Sequence, residues 1–202
     1  MSMHHRLEKP PANWAKQNLT QQEIMKNKFY LNLNLLFITL LTLNSCASGG
    51  YMNTVEKLDL DRFMGDWYVI AGRTTYFEKG AYNSLEQYKW NEAKKRIDIT
   101  FSYNKDALDG PKKVITQKAW IYNTKTKSHW KVQPFWPLKM DYIMIDIDPS
   151  YQWTSVGVPN QNYLWIMSRT KTLDAQVLKN IIKKLDEKKY NTKDIQIINH
   201  SL

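Results

Sequence analysis

Covalent chemistry in this chain would have to come from few residues. The sequence has a single cysteine, Cys46, which excludes an intrachain disulfide, and four histidines, of which only His129 and His200 fall beyond residue 50. His129 lies in a predicted strand beside a turn, and His200 is two residues from the end of the sequence. No HExxH, GxSxG, CxxC or phosphate-cradling GxxxxGK[ST] pattern is present. Asp146 and Asp148 have the alternate spacing that opens a calcium loop. Neither the glycine nor the later glutamate of such a loop follows, so the two are read as part of an ordinary turn. No residue set implies a catalytic centre, a cofactor or a metal. Binding chemistry remains: 8 Trp, 12 Tyr and 6 Phe make up 13% of the chain, enough rings to line an apolar interior and to hold a polar group through an indole N–H or a phenol.

The surroundings of Cys46 give its thiol a different use. Met25-Lys26-Asn27-Lys28 is followed by a mostly apolar run from Phe29 to Leu43 and then by Asn44-Ser45-Cys46, the positive, apolar, small-residue order of a secretory signal. The run contains Asn32, Asn34, Thr39 and Thr42 and falls short of the ~20 apolar residues of a membrane span. Leu43-Asn44-Ser45-Cys46 resembles the lipobox of bacterial lipoproteins, with Asn44 a less usual occupant of its place. That resemblance implies diacylglycerol on the Cys46 thiol and a lipid-anchored protein of the cell envelope. Each buried acyl methylene contributes about 0.8 kcal/mol, so several acyl chains make the anchorage durable. The predicted division is a non-native or disordered extension at residues 1–24, a lipoprotein signal peptide at 25–45, a lipidated tether at 46–58 and a folded domain at 59–202.

At 202 residues, with 43% hydrophobic and 24% charged residues, the chain suits one domain with a sizeable core. The net charge is +10; residues 1–45 hold five of the 29 Lys/Arg and two of the 19 Asp/Glu, which leaves +7 on the rest. These positive charges are interspersed with acids, the pattern of a solubilising surface and not of a nucleic-acid face. After Asp61, short runs of alternating polarity predict eight strands: 67–74, 83–90, 96–103, 113–122, 129–133, 142–147, 152–156 and 163–168. The clearest sets Ile97, Ile99 and Phe101 against Asp98, Thr100 and Ser102. Val177, Leu178, Ile181, Ile182 and Leu185 then recur at helical spacing, with Thr172 a candidate N-cap and Asp174 favourable at the positive end of the dipole. A last short strand is expected at 195–198. Period alone allows a meander, a barrel or another arrangement of sheet and helix.

Three stretches narrow the choice. Met64-Gly65-Asp66-Trp67-Tyr68-Val69-Ile70-Ala71 opens the first strand, Asp148-Pro149-Ser150-Tyr151 turns after the sixth, and Tyr163-Leu164-Trp165-Ile166-Met167-Ser168-Arg169-Thr170 closes the eighth. Their order and spacing resemble the lipocalin family, in its bacterial outer-membrane lipoprotein branch related to apolipoprotein D, over roughly Asp59 to Ile198. The resemblance implies an all-β fold: an eight-stranded antiparallel up-and-down barrel with one C-terminal helix packed outside and a short final strand beside the first. It implies that Gly65, Trp67 and Arg169 close one end of the barrel, the guanidinium lying over the indole, and that the anchored protein sits at the outer membrane. Because direction reverses at each strand, loops 75–82, 104–112, 134–141 and 157–162 would build the open mouth.

A closed barrel of eight strands is just wide enough for one small ligand. Parity counted from Trp67 and Arg169, which the family points inward, puts Val69 and Ala71 on the inner face of the first strand and Met167, Trp165 and Tyr163 on that of the eighth. Matching Ile147-Asp148-Pro149 to the family's turn puts Tyr142 and Met144 inside and leaves Ile143 and Ile145 for the helix. Phe135 and Trp136, in the apolar mouth segment 134–140, either line the entrance, touch the lipid surface or fold back as a lid on the core. These nine (Val69, Ala71, Tyr142, Met144, Tyr163, Trp165, Met167, Phe135, Trp136) are the expected ligand-binding set. The expected partner is a hydrophobic small molecule, fatty acid or lysophospholipid by the resemblance, carried without catalysis. The alternative is an envelope structural or interaction lipoprotein whose barrel is filled by its own Trp and Met side chains; an isomerase or haem protein of this fold lacks a residue to carry it. Whether the mouth loops join two copies as a homodimer is left open by the sequence.

Overall fold

The computed structural model describes residues 54–201; the extension at 1–24, the signal at 25–45 and Cys46 lie outside the described residues. A single helical turn, α1 (Leu60–Phe63), is capped by the Asp59 carboxylate, which accepts from the Arg62 N–H at 3.2 Å, and delivers the chain to β1 (Gly65–Arg73). Seven strands follow: β2 (Ala81–Asn91), β3 (Arg96–Lys105), β4 (Lys112–Ile121), β5 (His129–Phe135), β6 (Leu138–Ile147), β7 (Trp153–Gly157) and β8 (Leu164–Ser168). Helix α2 (Ala175–Glu187) and β9 (Gln196–Ile197) complete the described fold. Each strand pairs antiparallel with the next, and β1 pairs with both β2 and β8, so the eight close into a barrel.

Alternation along the strands makes two cores. Ile97, Ile99, Phe101 and Tyr103 of β3 join Trp130 of β5, Met144 of β6 and Met167 of β8 inside the barrel. Ile143 and Ile145 of β6 and Leu164 and Ile166 of β8 point the other way, where Ile181 and Leu185 of α2 and Tyr190 cover them. β8 is therefore buried on both faces, which is why it reads as an unbroken apolar run. The α2 cap is Asp174 rather than Thr172. Its carboxylate accepts from the N–H groups of Gln176 at 2.9 Å and Val177 at 3.1 Å, adding charge at the dipole's positive end to the hydrogen bonds.

Ala71 is a correction. The register of β1 against β8 slips between Val69 and Ala71, a bulge that breaks the inward parity counted from Trp67. Val69 still faces the interior, whereas Ala71 lies in the outer core beneath α2. The mouth segment at 134–140 is also not a loop: Phe135 pairs with Leu138, so β5 and β6 run on to a two-residue turn at Trp136-Pro137. The segment expected as tether is packed from residue 55, with the Val55 N–H donating to the Met144 carbonyl at 3.0 Å and Leu58 only 2% exposed.

The C-terminal residues wedge into the seam where β1 and β2 part. β1 pairs with β2 only from Gly65 to Tyr68, and beyond that β9 takes the place, Ala71 opposite Ile197. The Ile198 N–H donates to the Ile70 carbonyl and the Asn83 N–H to the Asn199 carbonyl, both at 2.9 Å.

Candidate ligand-binding cavity

The closed end is organised by one cation. Gly65 turns the chain from α1 into β1 at φ +96°, a conformation that strains any residue with a Cβ. Trp67 is fully buried and donates its indole N–H to the Phe63 carbonyl at 2.8 Å. The Arg169 guanidinium lies 3.7 Å from the centroid of the Trp67 ring. Arg169 also donates to the carbonyls of Asp66 at 2.8 Å, Arg62 at 2.5 Å and Phe63 at 3.2 Å. It thereby satisfies carbonyls that the end of α1 leaves without helical partners while covering the indole. Above this plug the Phe63 ring is 5.2 Å from Trp67 and 5.3 Å from both Tyr88 and Trp130, an aromatic floor across the barrel.

Above the floor lies a cavity of about 730 Å³, open at the mouth, within the ~300–1,000 Å³ usual for small-molecule sites. Its apolar side is Ile99, Phe101, Ile115, Val132 and Met140, contributed by β3 to β6. Its polar side is a buried network. Glu86, at an inward position of β2 and 6% exposed, accepts through Oε2 from the hydroxyl of Tyr88 and from that of Tyr142 at 3.2 Å. Nearer the mouth, Glu78 closes a short 3-10 turn (Tyr76–Glu78), accepting from the Thr75 hydroxyl at 2.7 Å and from the Trp165 indole N–H at 2.9 Å. Burial, with the like charge of Glu78 added, pushes the Glu86 carboxyl up to about 8 despite the opposing Tyr142 hydrogen bond. Burial likewise raises Glu78, against the hydrogen bonds from Thr75 and Trp165. Among the described residues no group of three or more His, Cys, Asp or Glu is placed to hold a metal ion; Asp148 accepts from the N–H groups of Ser150 and Gln152 within its turn.

A profile of the lipocalin-like domain family matches residues 58–200. The chain belongs to the lipocalin family. The chain is 31% identical over 150 residues to temperature-induced lipocalin-1 of Arabidopsis thaliana, covering 69% of this chain and 78% of that protein. It is 26% identical over 159 residues to outer membrane lipoprotein Blc of Vibrio cholerae, covering 78% and 92%. Among solved structures, insecticyanin from the tobacco hornworm superposes with a TM-score of 0.58 at 16% identity, covering 74% of this chain and 85% of that one. Lobster apocrustacyanin A1 gives 0.57 at 14% identity, covering 71% and 81%; at such identities the likeness speaks for the fold alone. Lipocalins are generally carriers of small hydrophobic ligands.

In this lipocalin the residues singled out from sequence divide by depth. Tyr142, Tyr163, Trp165 and Phe135 line the cavity. Val69, Met144 and Met167 face inward but are fully buried within the inner core, as filling and not as free wall. Trp136 is at the tip of the β5–β6 hairpin, 84% exposed and outside the cavity lining. Ala71 faces away from the barrel interior, into the core beneath α2. Sequence reasoning missed Glu78, Glu86 and Tyr88. For Glu86 and Tyr88 a signal existed, since Ser84, Glu86 and Tyr88 alternate with outward Gln87 and Lys89 and so place an acid on an inner face. Glu78 sits in a loop where no period points anywhere.

Proposed function

We propose that this lipocalin is a membrane-anchored carrier that binds, stores or transports a single-chain hydrophobic molecule, of the class that includes fatty acids and lysophospholipids, in the barrel cavity. The observation that carries this reading is the cavity of about 730 Å³ with one wall of aliphatic and aromatic side chains above an aromatic floor. Burying ~300 Å² of acyl chain at about 25 cal/mol per Å² offsets much of the cost of capture. Anchorage through Cys46 at the outer membrane rests on the lipobox resemblance and on the name of the Vibrio cholerae relative. The mouth agrees with a lipid-facing site: Tyr76, Phe77, Phe135, Trp136 and Leu138 are all exposed there, with Phe77 and Phe135 in edge contact.

The self-filled reading draws support from the lower barrel, where Met144, Met167 and Trp130 leave no room, but not from the upper half. Native mass spectrometry separates the two. The full chain carrying Cys46→Ser, purified from bacterial cells without detergent, is expected to hold a small molecule that denaturation releases and that Trp165→Ala retains less well. A bare mass that stays bare after lipid is added would instead favour the filled barrel, and Trp165→Ala would then act mainly on stability, by about 3–5 kcal/mol.

A further inference from the structure

The cavity combines apolar length with one sign of charge. Among the described residues its lining includes Glu78, Glu86 and Asp141 but no Lys, Arg or His. Asp141 is neutralised locally, its carboxylate engaged by Lys131 at 2.6 Å and His129 at 2.5 Å. Among the described residues no cation pairs with Glu78 or Glu86. Glu86 is more than nine-tenths buried and uses only Oε2 for hydrogen bonds, so its Oε1 is without a partner among the described residues while the side chain lines the cavity. Beside the two acids stand the rings of Tyr142 and Trp165, which meet them through the phenol and the indole N–H and lie 5.8 Å apart between centroids, with Tyr163 6.0 Å beyond Trp165. Acidic side chains that lack a counter-ion, framed by electron-rich rings, favour a cation whose arrival ionises them, and an aliphatic wall opposite favours a hydrocarbon chain.

Resting on the carrier reading, we propose that the preferred occupant is a single-chain amphiphile with a protonated amine as its buried polar group, held by Glu86 and Glu78 against Tyr142 and Trp165. Near neutral pH Glu86 holds its proton, so a fatty-acid carboxylate at the same depth finds no cation to balance its charge and gains at most a hydrogen bond from the Glu86 carboxyl. A lipid that enters tail first keeps an anionic head at the mouth, away from Glu86, and gains nothing from it. When the ammonium is bound, Glu86 ionises and releases its proton to solvent.

The test is competition by decylamine, decanol and decanoate for a polarity-sensitive fluorescent probe on the full chain carrying Cys46→Ser, near neutral pH. Decylamine is expected to bind at least about tenfold more tightly than decanol, and decanoate more weakly than either. Amine binding is expected to release protons, seen as a calorimetric heat that changes with the buffer's own ionisation heat. Glu86→Gln should bring the amine-to-alcohol ratio to within about threefold, and Glu78→Gln, a partly buried position where folding is less at stake, should lower it in the same direction. If decanoate matches decylamine, or both variants keep the amine preference, the proposal is overturned and the carrier reading stands. If none of the three displaces the probe, the carrier reading fails and the proposal with it.

Discussion

At Glu86 an acid shares the inward face of β2 with Ser84 and Tyr88. Held near 8 in the fold and near the ordinary carboxyl value of about 4.3 when unfolded, it binds a proton in the native state that the unfolded chain has already lost. Its contribution to stability is therefore complete below about pH 4 and is lost as pH rises through about 8. The melting temperature is expected to fall between pH 5 and pH 9, and Glu86→Gln to flatten that fall and to gain most over the parent at pH 9. A scan by circular dichroism at both pH values checks it; parallel curves for the two proteins would show that Glu86 does not carry the dependence. The position was legible to anyone who carried the alternation of β3 across to β2. Its chemistry was not, because its burial and the Tyr142 hydroxyl come from elements far apart in the chain, and the approach of Glu78 depends on a turn that no period marks. Trp165 was legible as an inward ring by parity from Arg169, but not its hydrogen bond to Glu78, which a loop residue supplies from 87 positions away.

Periodicity located the elements and failed where one residue broke it. The eight strands and α2 follow from alternation and from helical spacing, yet the bulge after Val69 moved Ala71 to the opposite core, and a two-residue turn drew Phe135 and Leu138 into strands where two prolines suggested a loop. A bulge adds one residue without changing residue types, so composition gives no sign of it. The start of α2 shows the same limit on a smaller scale, since Thr172 and Asp174 both have capping side chains. Only Asp174 reaches the free N–H groups of Gln176 and Val177. Asp174→Ala is expected to cost about 1 kcal/mol in urea unfolding, whereas Thr172→Ala should leave the midpoint nearly unchanged. Equal losses at the two sites would move the cap back toward Thr172.

For the molecule as a whole, the pairing of Trp67 with Arg169 was the most legible feature, because two rare side chains at the ends of strands about a hundred residues apart specify how the first and eighth strands meet. The structure adds what the pair does besides stacking. Arg169 ties α1 to the barrel through the carbonyls of Arg62 and Phe63, and β1 through that of Asp66, so its loss exposes the plug as well as the indole. Arg169→Ala is expected to destabilise the protein by about 2–4 kcal/mol and lower the melting temperature accordingly, with Arg169→Lys intermediate because it keeps the charge and loses the fork. An unchanged melting temperature in the alanine variant would remove Arg169 from the closure. The seam at β1 has a consequence in time. Among the described residues β1 is the first strand, and it finds β2 within two dozen residues, yet its other neighbours, β8 and β9, arrive only with the last quarter of the chain. Until then β1 presents a bare edge, and local pairing cannot hide it. Closure is thus a long-range event, whose loop entropy is met only when strands from the two ends of the fold come together.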